Sequence, residues 1–263
     1  MFFIDAKFIE PEKIVITKNT HNLTTSASEP IHLVLISDVH AVSEKPGDLD
    51  EKVALINQQN PDIILIAGDF INSDISEVSK LRPLRNLRAK YGVYAVLGNH
   101  DYNVWSPEIR HTSPDQTLAQ SVSDELESDG VNVLRNEFEE ININGKKFEL
   151  YGSDDQWSGR SSYIESNLSL PKIILVHERI AINESKISQK TLILSGHTHC
   201  GEVRIPLVTE YIMSKILSGF GDVVGGWSKR NDHVDDYVTC GLTRGTSGFR
   251  LFTNPEISVI DIY

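Results

Sequence analysis

The chain has 263 residues, of which 40% are hydrophobic, a formal net charge of −12 and two cysteines. This acidic balance argues against nucleic acid as the main partner, because such binding relies on a basic surface that neutralises phosphates. Two cysteines do not make a disulfide framework, no charged-then-apolar leader opens the chain, and no run approaches the ~18 apolar residues of a membrane span. In chain order, a β-rich run at 13–17 precedes a loop-like stretch at 19–30. Apolar runs at 31–37, 63–67, 93–97, 173–176 and 191–195 read as short buried strands. Helices are expected at 50–59, 76–90 and 116–129, the last closed by Gly130. Further strands at 140–144, 148–152, 202–205, 237–241 and 257–262 point to a second sheet. No Pro/Gly/Ser-rich linker or internal repeat interrupts the pattern, so residues 1–263 read as a single α/β domain.

Each of the five buried runs ends at a polar block: Asp38-Val39-His40, Gly68-Asp69, Gly98-Asn99-His100-Asp101, His177 and Gly196-His197-Thr198-His199. Together these blocks offer oxygen and nitrogen donors for two adjacent divalent cations, which need an anionic oxygen to share, and a lone strand-end carboxylate such as Asp69 can bridge them. Imidazoles fill most of the remaining positions, which favours Mn, Fe or Zn over Mg or Ca. Turn residues alone would not place His five times at ligand spacing.

These blocks, complete and in order from Ile31 onward, resemble the calcineurin-like metallophosphoesterases. Tyr91-Gly92-Val93-Tyr94-Ala95-Val96-Leu97, Gly152-Ser153-Asp154-Asp155 and Arg244-Gly245-Thr246-Ser247-Gly248 are similar to one bacterial branch, the YaeI/YkuE-type phosphodiesterases, near hydrolases of the UDP-diacylglucosamine pyrophosphate. The resemblance implies a four-layer αββα sandwich of two packed sheets, with the dinuclear metal site on strand-end loops. It assigns Asp38, His40, Asp69 and His199 to one metal, and Asp69, Asn99, His177 and His197 to the other. His100 would face the scissile phosphate as acid or charge stabiliser, with Asp101 fixing its tautomer, and a hydroxide bridging the metals would attack phosphorus. The chain departs from the family at Ala41-Val42, at Cys200-Gly201-Glu202 and at Glu178, which leaves the family's substrate contacts and metal preference open and removes no ligand.

The remaining features have ordinary readings beside functional ones. Lys80, Arg82, Arg85, Arg88 and Lys90 read as a solvated helix face, with a headgroup- or phosphate-binding patch as the alternative. Cys200 reads as a buried bystander thiol, with soft-metal ligation or oxidation as the alternatives. His21, His32, His111 and His233 read as surface or structural residues. Asp154, Asp155 and Trp157 read as a capped turn or a substrate rim, and Arg244 and Arg250 as phosphate clamps or structural ion-pair partners. Residues 207–220 carry an apolar stripe suited to a core helix, a lid or a membrane-touching helix. The leading expectation is a cytoplasmic phosphodiester or pyrophosphate hydrolase with two divalent transition-metal ions, its substrate optionally lipid-linked or a nucleotide and its membrane contact at most peripheral. The alternatives are a phosphomonoesterase or protein phosphatase, and a non-catalytic scaffold.

Overall fold

The computed structural model describes residues 4–24, 29–41, 47–105, 113–163, 166, 168–179, 187–205, 208, 223–245 and 248–263. Two six-stranded mixed sheets stack face to face in an α/β fold. The first runs β1 (Val15–His21), β12 (Glu256–Ile262), β2 (Ile31–Ile36), β3 (Ile63–Ala67), β4 (Val93–Val96), β5 (Asn132–Val133). The second runs β10 (Gly226–Lys229), β11 (Val234–Val238), β9 (Thr191–Ser195), β8 (Lys172–Leu175), β7 (Lys146–Gly152), β6 (Glu137–Ile143). Strands β2 to β5 are mutually parallel, as are β7, β8, β9 and β11.

Alternation along the strands builds the interior. Leu33, Leu35, Ile63, Leu65 and Val96 of the first sheet meet Phe148, Leu150, Ile173, Leu175, Leu192 and Leu194 of the second. The opposite side chains of the first sheet, including Val34, Ile36, Ile64, Ile66 and Ala95, pack against α1 (Asp48–Asn57) and α2 (Gln116–Ser128). This double burial explains why β2, β3 and β4 read as continuous apolar runs. Helix α2 starts where the Asp115 side chain accepts from the Thr117 and Leu118 N–H groups, an N-cap. The outer face of the second sheet carries Tyr151, Ile174, Val176, Ile193 and Val234. Among the described residues no helix covers that face.

Three expectations change. The helix at 76–90 is a 3₁₀ stretch at Ile75–Asn86 with Pro83 inside it; proline lacks the N–H that an α-helical interior needs. Its cations are exposed, and Lys90 pairs with Asp62 at 2.8 Å. Residues 202–205 form no strand and make one bridge, Val203 to Leu251. The strand expected at 257–262 joins the first sheet, between β1 and β2. His111 and most of the 207–220 stripe fall outside the described residues; Val208 is exposed. No helix of the described residues is long and apolar enough to cross a membrane.

Candidate metal centre

The five blocks follow β2, β3, β4, β8 and β9. Ligand-bearing loops gather at the C-terminal ends of parallel strands because all such strands point one way. Tight turns bring the side chains back over the sheet edge, with Asp38, His40, Asp69, His197 and His199 all at positive φ. Such conformations persist in non-glycine residues only where the surroundings hold them. Close approach of the loops also requires glycine, within the five blocks most tightly at Gly98 and Gly196. A methyl group on Gly98 would overlap Asp69 Oδ1, and one on Gly196 would overlap Ser37 Oγ.

Two groups of donors result, buried except for the half-buried His197. Asp38, His40 and His199 form one and Asp69, His177 and His197 the other, each with its ligand atoms within 4.8 Å of one another. His199 Nε2 stands 3.3 Å from Asp38 Oδ1, and His40 Nε2 lies 4.0 Å from it. Asp69 Oδ2 joins the groups, 3.7 Å from His40 Nε2 and 3.0 Å from His177 Nε2. Asp69 Oδ1 accepts from the His100 N–H at 2.9 Å, which fixes the carboxylate plane. Asn99 Oδ1 lies 3.2 Å from His177 Nε2. His177 Nδ1 donates to the Ala67 carbonyl at 2.6 Å, so Nε2 keeps its lone pair for the site, the usual outer support of a metal-binding histidine.

At His199 and His197 the electrostatics match this arrangement, whereas at His177 they favour a proton on Nε2 facing Asp69, which a bound cation would have to displace. Burial lowers the pKa of His199, aided by His40 and Arg250, and lowers that of His197, aided by His177. Both therefore present neutral imidazoles at neutral pH. Burial also pulls His177 down, but Asp69 at hydrogen-bond distance overrides it and leaves the group raised. Asp38 Oδ1 and both ring nitrogens of His40 are buried without a hydrogen-bond partner. Such orphaned atoms cost energy unless something binds them, and two imidazole-rich groups facing one carboxylate fit divalent metal binding.

His100 lies beside these groups, its ring edge-on to His40 at 5.1 Å, with its Nδ1 unpartnered. Asp101 differs from expectation. Its Oδ1 accepts from Phe70 N and Ile71 N at 2.9 and 3.2 Å and its Oδ2 from Gly98 N at 2.9 Å, so both oxygens staple backbone and neither touches the His100 ring. Burial and the Asp69 charge push its pKa up. The three N–H donors leave no acceptor for a carboxyl proton and oppose that shift. The geometry makes Asp101 a loop staple, in place of the tautomer-fixing partner.

The rim departs from expectation elsewhere. Cys200 is no free thiol: it is disulfide-bonded to Cys240. Arg250 is fully buried and donates to the carbonyls of His199, Cys240 and Thr243 at 2.9, 2.8 and 2.6 Å, so it clamps loops and has no phosphate to meet. Arg244 pairs with Glu12. Asp155 caps the turn at Ser158, while Asp154 accepts from Tyr102 Oη at 2.6 Å and Arg135 Nε at 3.1 Å. Glu178 accepts from Gln156 N and Trp157 N, so it supports the rim from beneath. Trp157 packs edge-on against His197 at 4.3 Å. Trp105 is 58% exposed and stands edge-on to His100 at 4.4 Å; nothing in its sequence context distinguishes it from a packing tryptophan.

Comparison with known proteins agrees with this geometry. The family model described as calcineurin-like phosphoesterase matches residues 31–201. "Phosphodiesterase YaeI" of Escherichia coli K12 is 28% identical over 89% of this chain and 82% of its own length. "Uncharacterized metallophosphoesterase YkuE" of Bacillus subtilis 168 is 28% identical over 98% of this chain and 88% of its own. "Transmembrane protein with metallophosphoesterase domain" of Danio rerio is 26% identical over 95% of this chain, which spans 57% of that protein. With five strand-end blocks converging on two groups of donors at one edge of two stacked sheets, the chain belongs to the calcineurin-like phosphoesterases, as a metal-dependent phosphoester hydrolase.

Proposed function

We propose that the chain, acting as one domain, hydrolyses a phosphodiester or a pyrophosphate at a dinuclear centre. The observation that carries this reading is Asp69 Oδ2, which faces His40 of one donor group and His177 of the other. Asp38, His40, Asp69 and His199 would hold one cation, and Asp69, Asn99, His177 and His197 the second. Two such cations, Mn, Fe or Zn by the donor set, supply Lewis-acid polarisation of the phosphoryl oxygens and an activated water. His100, with burial lowering its pKa, is poised to stabilise charge on the phosphoryl group or to carry a proton at the leaving oxygen. Asp101 holds the loop that bears it.

A diester or pyrophosphate fits better than a monoester because the extra negative charge of a monoester needs a cation to meet it. Arg135, Arg179, Arg244 and Arg250 are each committed to a carboxylate or to backbone carbonyls. The exposed Trp105 next to His100 offers a flat apolar wall for an ester group. A lipid-linked substrate and peripheral membrane contact rest on the likeness to the branch and on the stripe at 207–220. A bonded cysteine pair fits an oxidising compartment better than the reducing cytoplasm, so the cytoplasmic expectation needs its own test, labelling of the two thiols in intact cells.

The activity test pairs bis(p-nitrophenyl) phosphate with p-nitrophenyl phosphate, with Mn²⁺ added and then chelated. The proposal expects faster turnover of the diester, abolished by chelation. Faster monoester turnover would favour a phosphomonoesterase, and no turnover of either, despite bound metal, a scaffold.

A further inference from the structure

We infer that the Cys200–Cys240 disulfide is a positioning clamp on one half of the metal centre, so that cation affinity at Asp38, His40 and His199 depends on the oxidation state of these two cysteines. The inference rests on the two-cation reading above. Cys200 directly follows His199, and its partner lies 40 residues on, with Cα atoms 4.6 Å apart.

The bridge adds nothing to strand pairing, because β9 and β11 already pair through Val238 and Ser195 at their ends. It joins the loops beyond those strands, and both loops touch the same donor group. On one side the chain turns sharply, with His199, Cys200 and Glu202 all at positive φ, at 49, 54 and 51°. Three such residues in one short turn need external restraint to stay there. On the other side, the segment after Cys240 lies against Asp38. A methyl on Gly241 would stand 2.9 Å from Asp38 Cβ, Leu242 N donates to Ser37 O at 2.7 Å, and Thr243 Oγ1 donates to Asp38 O at 3.0 Å. The disulfide therefore ties His199 covalently to the segment that seats Asp38.

Arg250 spans the same gap with hydrogen bonds, from the His199 carbonyl to those of Cys240 and Thr243. Hydrogen bonds of Thr198 to Val224 and of Glu202 and Arg204 to Leu251 also hold the turn, but none of them joins it to the segment after Cys240, so once the S–S bond opens that link rests on the guanidinium. The second donor group meets this clamp only at His197, which opens the same turn at φ 68° and whose N–H donates to Asp38 Oδ2 at 3.1 Å, while Asp69, Asn99 and His177 sit on other loops. With three of its four residues off the clamped loops, the second cation should be largely spared by reduction.

The chemistry is ordinary thiol–disulfide exchange. A thiolate of a dithiol reductant attacks one cysteine sulfur, the other leaves as thiolate, and the reductant's second thiol displaces the mixed disulfide. Two electrons and two protons end on Cys200 and Cys240 as thiols, and the dithiol becomes a disulfide. Recruitment of Glu256 to the freed thiols as a third cation site is disfavoured. Its Oε1 already accepts from Thr17 and Tyr237, and its Oε2 from Thr239 and the Cys240 N–H.

The test titrates the full chain with Mn²⁺ in both states, following binding calorimetrically and by the loss of the free-ion resonance. Reduction uses a water-soluble phosphine, which becomes the phosphine oxide with oxygen from water. The phosphine is then removed without air, and thiols are counted. The clamp predicts two ions bound when no thiol is free. With two thiols free, one ion should bind as before and the other about 10–100-fold more weakly, the usual range for outer supports of a metal ligand, with recovery on reoxidation. The double variant Cys200→Ser/Cys240→Ser should behave like the reduced chain and ignore phosphine, and its melting curve with chelator present reports whether it folds. Equal affinities in both states overturn the clamp alone, as do parallel weakening of both ions, a third ion on reduction, or two free thiols in the Mn²⁺-loaded chain purified in air. An oxidised chain that binds fewer than two ions overturns the two-cation reading and the clamp with it.

Discussion

Replacing Asp101 by Asn separates a loop staple from a partner of His100. The carboxylate accepts three backbone N–H bonds, from Phe70, Ile71 and Gly98. An asparagine keeps one acceptor oxygen, which satisfies the first two donors, and turns an NH₂ toward Gly98 N. One buried N–H then lacks an acceptor, at a cost of about 1–3 kcal/mol. For a chain of 263 residues that corresponds to a fall in Tm of roughly 2–5 °C. Asp101→Ala leaves all three donors unmet and should cost more. The loops carrying Asp69 and Asn99 should loosen, so turnover falls through weaker metal binding, and excess Mn²⁺ should restore part of it. Kinetics at saturating metal in a double-mutant cycle with His100→Ala completes the assay. A staple acts independently of the imidazole, so the two losses should multiply; a tautomer-fixing partner has no further effect once His100 is gone. Unchanged stability together with an effect that vanishes in the His100→Ala background would refute the staple.

Other outcomes follow from the same geometry. Asp69→Ala should lower metal content at both donor groups, whereas His40→Ala should mainly weaken one; elemental analysis after reconstitution distinguishes them. His100→Asn should keep both ions and lower turnover by about 10²–10⁴-fold. The loss should shrink for a good leaving group such as p-nitrophenol, and an equal loss for poor and good leaving groups would mark charge stabilisation in place of proton transfer. His21 stacks on Trp227 at 5.3 Å, and burial lowers its pKa from 6.5 despite Asp235. Between the folded and unfolded values the unfolded chain binds more protons, so stability is lost as pH falls below about 6.5. Urea denaturation at pH 7.5 and 5.5 should show a smaller pH dependence for His21→Gln, and an unchanged one would reject the assignment.

Where burial is double-sided the strands are legible in the amino acids alone: Ile63–Ala67 and Thr191–Ser195 span the same residues as their apolar runs. Sheet membership is not, because the apolar run of β12 is the same whether it pairs with β2 or with the second sheet. Residues 75–86 mislead because helical spacing of cations says nothing about Pro83. The donors are legible as a constellation, since dinuclear chemistry restricts residue type at strand ends. Their supports are harder to see. Arg250 binds carbonyls, which carry no sequence signature, and the Cys200–Cys240 bond depends on two loops meeting beyond β9 and β11. Asp101 follows His100 in sequence, but the turn aims its side chain at the loop after β3.

Anomalous diffraction from crystals of the Mn²⁺-loaded chain tests the dinuclear centre most directly. Two peaks are expected roughly 3.5–4 Å apart, one ligated by Asp38, His40 and His199, the other by Asn99, His177 and His197, with Asp69 between them. A single peak, or a pair that leaves Asp69 unshared, would contradict the account.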